Sequence, residues 1–276
     1  MKLTLLVFLA VFSLSCYSQN EFVAALDKGD LAKIKSLLEA KPEMLNKERE
    51  YSTYPVFEAT EKSKLDIVKF YIEKGAKLDV KTSKYGDNIV LFMARTMNNP
   101  NESKTKTYIA MLDLFAAQKA SFTVTDKDGN GALKILADKK ISTANVKNYM
   151  EIVNYYIKNG SKITDKSNSG ILHALLATEG IPMANKELDC GSFEAAKEFV
   201  ALGVGVSEVD DAKNTPLHVV LLNKRVTDDK KADIVKFLME KGARNNVKNK
   251  AGQTPEELVK KESQLYEIIK KTKPKK

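Results

Sequence analysis

The sequence predicts an all-α fold, a solenoid of about seven helix-turn-helix units with hairpin fingers between them. The first observation is that residues 65–76 and 233–243 both contain Asp-Ile-Val-Lys-Phe and both end in Gly-Ala. The second is the Thr-Pro-Leu-His turn at 215–218, which opens a helix ahead of the second copy. The apolar stripes of these segments can be buried only against neighbouring copies, so the sequence indicates a stacked array.

The first three repeats follow in order along the chain, although the first is degenerate. Each is expected to contribute two helical segments that face neighbouring repeats. These segments are predicted at 21–26, 31–38, 54–59, 65–76, 91–94 and 108–117.

Four more repeats complete the array. Repeat four opens at 126–133 and closes at 152–160, and repeat five opens at 169–173 and closes at 193–203. Repeat six is the one that begins with the Thr-Pro-Leu-His turn. Repeat seven, at 251–258, is polar, as expected of a terminal cap whose outer face has no neighbour.

The turn residues explain where each helix starts and stops. The hydroxyl of Thr215 can cap the incoming helix, and Pro216 suits a first helical turn because its missing N–H leaves no bond unmade there. Gly242 supplies the left-handed residue that ends a second helix.

These motifs resemble ankyrin repeats over about residues 20–272. The likeness is strongest in repeats two, six and seven and weakest in repeats one and three. It implies a protein that binds other proteins through its fingers and the concave face of its first helices. It also implies that His173 and His218, which fill the motif histidine position, tie the turns together.

Other motifs point to no catalytic chemistry. With both histidines assigned to turns, a nucleophile lacks a histidine base and a metal lacks histidine ligands. Asp126 and Asp128 resemble the start of a calcium loop, but the acidic residue expected at its end is missing. Gly129 and Gly131 belong to a finger turn rather than to a phosphate-binding loop. The sequence therefore predicts neither an enzyme nor a protein with a cofactor or metal.

The repeats are longer than usual. Successive motif positions are 35 to 45 residues apart, against about 33 in an ordinary ankyrin repeat. These positions are Val56, Leu91, Leu133, Leu172, Leu217 and Glu256. The excess falls between the two helices of a repeat, at 98–106, 139–146, 178–191 and 223–231. These insertions, expected to be loops or helix extensions, should emerge on one edge, opposite the fingers, either as tolerated surface insertions or as a second binding surface.

The N-terminus is typical of an export signal. Lys2 precedes an apolar run at 3–14 that is too short to span a bilayer. The small residues at 16 and 18 predict cleavage before Gln19 and a periplasmic mature chain. The predicted domains are a signal peptide at 1–18, an ankyrin repeat domain at 19–272 and a disordered basic tail at 273–276.

A lipid anchor is the alternative at the same segment. Ser-Leu-Ser-Cys at 13–16 resembles a degraded lipobox, in which Cys16 would carry the lipid of an outer-membrane lipoprotein. After cleavage before Gln19, Cys190 is the remaining cysteine, so an intramolecular disulfide is impossible and stability must come from packing.

Positive charge is concentrated at the predicted finger tips. The net charge of +9 favours acidic partners, nucleic acid or anionic membrane surfaces without choosing among them, and the predicted export argues against nucleic acid. The candidate partner-binding residues are Lys81, Lys84, Tyr85, Lys127, Lys166, Lys213, Lys248 and Lys250. They would form either a basic ridge that steers an acidic protein or a solvated lysine-rich surface.

The sequence thus predicts a monomeric, non-catalytic protein–protein interaction module of the cell envelope. Two alternatives stay open: a periplasmic immunity or inhibitor protein against a toxic enzyme, and a lipid-anchored envelope protein. The repeat alignment places Leu217 and Phe237 in packed interfaces between repeats. Replacing either by Ala should then reduce the free energy of unfolding by about 2–5 kcal/mol.

Overall fold

The computed structural model describes residues 20–49, 53–178, 181–182 and 188–272, and within them thirteen α-helices. They are α1 (20–28), α2 (Leu31–Ala40), α3 (Pro55–Glu61), α4 (Leu65–Glu73), α5 (Ile89–Thr96), α6 (Glu102–Ala117), α7 (Ala132–Ala137), α8 (Val146–Lys158), α9 (Ile171–Ala177), α10 (Gly191–Ala201), α11 (Pro216–Leu222), α12 (Asp228–Glu240) and α13 (Gln264–Lys271).

The helices pair into seven repeats, which confirms the predicted all-α repeat fold. Repeats one to six each consist of two consecutive helices, from α1 with α2 to α11 with α12. Repeat seven differs, because its first helix is reduced to the 3₁₀ turn Glu256–Leu258 before α13. Val259 ends that turn in an extended conformation, so the polar terminal repeat has only one full helix.

The described residues divide into two compact units, and the division falls within repeat three. Unit 1 ends at Met93 and also includes Ala110–Ala120. Unit 2 comprises Ala94–Ile109 and the described residues from Ser121 onwards.

Unit 2 is built from two rows of helices. The first helices α7, α9 and α11 pack against one another in order, and so do the second helices α8, α10, α12 and α13. The motif leucines Leu133, Leu172 and Leu217 are all buried between them. The expectation for Phe237 was wrong, because this ring lies partly exposed beside Lys241 while Leu238 fills the core position.

Unit 1 holds an ion pair inside an aromatic core. Arg49 donates to Glu58 at 2.8 Å, and its guanidinium lies 4.2 Å from the ring centroid of Phe22, which stacks on Tyr71. Burial lowers the pKa of Arg49 and raises the pKa of Glu58, because leaving water disfavours each charged form, and their mutual attraction opposes both shifts. The Nε and Nη2 atoms of Arg49 make no hydrogen bond, so the pair is not a strong source of stability.

A left-handed residue ends most second helices. Gly242 has φ of 92°, and the following N–H of Ala243 returns to the carbonyl of Leu238 at 2.9 Å. This closes the last turn of α12 as the Gly-Ala pattern predicts. At the end of α6, Lys119 takes a left-handed conformation with φ of 57°, which is uncommon for a residue that carries a side chain.

The described insertions contain more structure than loops alone. The stretch at 98–106 includes the start of α6, and the stretch at 139–146 contains the 3₁₀ turn Thr143–Asn145. Two short strands, β1 (Ile181–Pro182) and β2 (Leu188–Asp189), pair antiparallel within the third insertion.

The predicted signal peptide, the lipobox and the basic tail lie outside the described residues. No helix of the described part has the length and apolar character that crossing a bilayer needs.

Candidate binding surfaces

The fingers of unit 2 begin with residues whose side chains lock the turn. Oδ1 of Asp126 accepts from the backbone N–H of Asn130 at 2.8 Å. Oδ1 of Asp210 accepts from the N–H of Asn214 at 2.7 Å. Asn249 does the same with the N–H four residues later, at 3.1 Å. Short polar side chains that bond their own backbone favour such turns, so the finger shape is set locally.

Neighbouring fingers are also joined to one another. The backbone N–H of Lys250 donates to the carbonyl of Ala212 at 2.8 Å, and Asn249 donates to the side chain of Asn214 at 3.1 Å. Between the first two fingers, the N–H of Gly131 donates to the carbonyl of Ser167 at 2.7 Å. The first finger is therefore bonded directly to the second, and the third to the fourth.

The two histidines tie each first helix to the next finger. Nε2 of His173 lies 2.8 Å from the carbonyl oxygen of Asn214, and Nε2 of His218 lies 3.0 Å from that of Gln253. A carbonyl only accepts, so Nε2 carries the proton in both rings. Nδ1 of the buried His218 then accepts from the N–H of Thr215 at 3.1 Å, completing a capping box. Both histidines therefore hold the turns together, as the sequence predicts.

An arginine from repeat three supports the first finger of unit 2. Arg95 donates to Oδ2 of Asp126 at 2.8 Å, and the Asp126 side chain is only 4% exposed. Burial alone would raise the pKa of Asp126, but hydrogen bonds from Asn130, Arg95 and Asp128 outweigh it and hold that pKa below its ordinary value. The carboxylate that resembled the start of a calcium loop is thus engaged within the turn.

The eight candidate partner-binding residues are all exposed and all lie between repeats, as Lys81, Lys84 and Tyr85 in unit 1 and Lys127, Lys166, Lys213, Lys248 and Lys250 in unit 2. In unit 1, Nζ of Lys84 sits 4.7 Å from the ring centroid of Tyr85. In unit 2, the lysines lie within or next to the turns. We define the finger edge as residues 126–130, 165–169, 210–214 and 248–253 of unit 2.

The first helices of unit 2 present an accessible strip, on the face that the resemblance implies for binding, although none of its residues was named from the sequence. The strip changes from an ion pair to apolar side chains along the chain. Lys134 of α7 pairs at 2.9 Å with Asp138, which follows that helix, whereas Leu222 at the end of α11 is 41% exposed. The strip consists of Lys134, Asp138, Ala174, Ala177, Val219 and Leu222. The signal was present in the repeat pattern, because positions two and five residues after the buried Leu172 and Leu217 lie on the opposite side of the helix.

The insertions of unit 2 contact one another on the other side, and we call their described residues the insertion edge. Oδ1 of Asn99 accepts from the N–H of Ser142 at 3.0 Å, linking the first insertion to the second. Oδ1 of Asp189 accepts from the N–H and hydroxyl of Thr143 at 2.8 and 2.6 Å, linking the second to the third. Asn223 donates to the carbonyl of Thr178 at 3.4 Å, linking the third insertion to the fourth. The neighbouring insertions therefore share one edge, as expected.

Gly191 allows the closest approach on this edge. A Cβ at this position would lie 2.4 Å from the carbonyl oxygen of Ile141 and 2.5 Å from the nitrogen of Thr143. Real Cβ atoms do not come this close to backbone, so a side chain here would push α10 away from the second insertion. No sequence signal predicts this contact, because the pattern marks Gly191 only as the end of an insertion.

The comparisons with known proteins agree with this architecture. A family model for the ankyrin repeat matches residues 213–250, which include repeat six. No curated protein is similar enough in sequence to count as a match. Within the part of the chain that the structure describes, no group of three acidic, histidine or cysteine side chains is placed to hold a metal ion.

Two solved ankyrin repeat domains have similar structures. The domain of Bcl-3, described as a unique member of the IkappaB protein family, has a TM-score of 0.61 and 16% identity, covering 91% of this chain and 97% of its own. The domain of human ASB11 has a TM-score of 0.62 and 15% identity, covering 89% and 94%. At these identities the likeness establishes the fold, which is an ankyrin-repeat fold, and ankyrin repeats generally mediate protein–protein interaction.

Proposed function

We propose that this chain is a non-catalytic protein-binding module that holds an acidic protein against the finger edge and the accessible first-helix strip of unit 2. One observation carries the proposal. Five exposed lysines lie on or beside turns that side-chain and backbone bonds hold in place, next to a strip that becomes apolar at Val219 and Leu222. A rigid surface of this kind reduces the entropy lost on binding, and its charge accelerates the encounter.

The partner's chemistry follows from the charge at the turns. Lys127, Lys166 and Lys213 lie on successive fingers and would face carboxylates of the bound protein. Exposed charges at the rim of an interface mainly change the association rate and its dependence on salt. The complex should therefore form more slowly as the salt concentration rises. We take the binding form to be a monomer, because the finger edge and the strip come from one chain.

Affinity capture with three matched baits tests the proposal. The native chain is compared with a finger variant, Lys127→Glu, Lys166→Glu and Lys213→Glu. The control reverses exposed lysines on the second helices, Lys147→Glu, Lys158→Glu and Lys236→Glu, with the same change of net charge. We expect a protein that the native and control baits hold and that the finger variant loses by at least tenfold. A protein held equally by all three baits, or none held by the native bait, would refute the proposal.

For the cellular location we propose export to the periplasm as a soluble protein. Support comes from Lys2, the apolar run at 3–14 and the small residues before Gln19. The mass of the native N-terminal peptide tests it. A peptide that begins at Gln19 is the expected result, and a lipid on Cys16 would instead establish an outer-membrane lipoprotein.

A further inference from the structure

We propose that the insertion edge of unit 2 forms a second docking site, which binds a lysine- or arginine-bearing segment of a protein in the groove between α10 and α12. This site is separate from the finger edge, and its occupant has the opposite charge to the partner proposed there.

The groove is a cavity of about 560 Å³ between two second helices. The beginning of α10 supplies one wall, with Phe193 and Glu194, and the first half of α12 supplies the other, with Asp233 and Ile234. Thr143 of the second insertion and Asp189 and Cys190 of the third also line it. This volume lies within the range of ordinary binding pockets.

The charge of the groove is opposite to that of the chain. The whole chain carries +9, yet the groove is lined by more carboxylates than ammonium groups. Its charged lining residues are Asp189, Glu194, Lys197, Asp229, Lys230 and Asp233. With Lys197 paired to Glu194 at 2.8 Å, three carboxylates remain in the lining beside one ammonium group, which is an excess of negative charge. A cationic side chain is the complement of such a groove.

The floor of the groove suits the stem of a long basic side chain. Phe193 and Ile234 line it although they are 4% and 1% exposed, so an apolar surface lies beneath the charged rim. Lysine and arginine place their methylene stems on apolar surface while their charged ends reach polar groups. The carboxylates of Glu194 and Asp233 stand on facing helices, where they can receive that charged end.

The two lysines in the lining argue for a peptide rather than a small polyamine. The ammonium groups of Lys197 and Lys230 would repel a molecule that carries only positive charge. Ammonium groups donate to carbonyl oxygens, which a peptide backbone supplies beside its basic side chains. A segment that combines positive side chains with backbone carbonyls therefore fits both signs of charge.

The walls of the groove are fixed before anything binds. Asp189 accepts from Thr143 and from the N–H of Gly191, the latter at 3.0 Å, which holds the third insertion against the second. The tight approach of Gly191 to Ile141 anchors the start of α10 at the same place. A site whose walls are already fixed loses little conformational entropy when a ligand binds. The insertions therefore contribute to the binding site by holding the walls of the groove in place.

Selection from a displayed library of random twelve-residue peptides on the full chain tests the site. We expect enrichment of lysine and arginine, and peptides whose Kd rises at least tenfold with Glu194→Lys and Asp233→Lys. A matched control, Glu151→Lys with Glu198→Lys, reverses two exposed carboxylates outside the groove and should leave the Kd unchanged. The finger variant should also bind these peptides normally, which separates this site from the proposed function.

Cys190 provides a local readout because it lines the groove. Burial raises the pKa of its thiol, so alkylation is followed at alkaline pH by the mass of the fragment that contains it. Bound peptide should slow alkylation at least fivefold. Selected peptides without basic residues, equal binding to the groove variant, or unchanged alkylation would each overturn the proposal. Spermidine that displaces the peptides and binds as tightly would establish a small-cation site instead.

Discussion

The finger edge and the insertion edge of unit 2 belong to the same repeats but are held together by different means. On the finger edge, equivalent side chains repeat equivalent bonds, as Asp126, Asp210 and Asn249 show. On the insertion edge each contact is unique, as with Asn99 and Asp189. Repetition makes the first edge a regular series, whereas unrepeated contacts can shape one particular groove. The insertion edge, which departs from the repeat pattern, is therefore the surface that distinguishes this chain from a regular array of repeats.

The largest expected effect concerns the core that both edges share. Leu217→Ala should reduce the free energy of unfolding by about 2–5 kcal/mol, because it leaves a cavity beneath both edges. Leu222→Ala is the control on the same helix, since Leu222 is 41% exposed, and should change it by less than about 0.5 kcal/mol. Urea unfolding followed by circular dichroism measures both. Equal losses for the two variants would refute the repeat alignment.

The next effect compares two histidines that make the same bond. His218→Ala should cost about 3 kcal/mol, because it removes a fully buried ring, the bond to Gln253 and the capping box with Thr215. His173→Ala should cost about 1 kcal/mol, because α9 follows Gly170 without a side-chain cap. Thermal unfolding ranks the variants. A larger loss of stability for His173→Ala than for His218→Ala would show that the capping box does not stabilise the finger edge.

A smaller effect separates the roles of glycine on the two edges. Gly191→Ala should destabilise the chain by about 2 kcal/mol through the collision with the backbone around Ile141. Gly129 on the finger edge has φ of 80°, and a Cβ there would meet no atom within 4 Å, so Gly129→Ala should cost about 1 kcal/mol of backbone strain alone. Only Gly191→Ala should also increase the alkylation rate of Cys190. The same rate in both variants would contradict the close-packed insertion edge.

The smallest effect depends on pH. The folded pKa of Asp126 lies below its unfolded value, so its ionised form stabilises the fold above about pH 4. That stabilisation disappears as the pH falls through the lower folded pKa. The free energy of unfolding of the native chain should exceed that of Asp126→Asn by about 1 kcal/mol at pH 7 and by less at pH 2. Urea titrations at both pH values measure the difference, with the exposed Asp128→Asn as control. A constant difference would exclude the ionised carboxylate as its source.

Most of the regular edge could be predicted from the sequence. The Thr-Pro-Leu-His and Gly-Ala motifs locate the helices of repeat six, because capping and left-handed residues act within a few positions. The roles of His173 and His218 followed from their motif position. The prediction for Phe237 was wrong because a helical repeat of about 3.6 residues per turn does not decide which of two adjacent apolar residues faces the core. In the structure Leu238 faces it.

The insertion edge could not be predicted in the same way. The contact of Thr143 with Asp189 joins residues 46 positions apart, and nothing local encodes it. The ion pair of Arg49 and Glu58 in unit 1 was missed for a related reason, because a charged residue in a polar segment gives no sign that an aromatic cluster will enclose it. The sequence located the insertions, and only packing determined what they build.

Hydrogen–deuterium exchange of the full chain with its captured partner tests the central claim most directly. Binding at the finger edge predicts slower exchange at 126–130, 165–169 and 210–214 and in α9 and α11, with no change at 139–146 or in the first turn of α10. Protection confined to those last two segments would show that the partner occupies the insertion edge, and would contradict the proposed function.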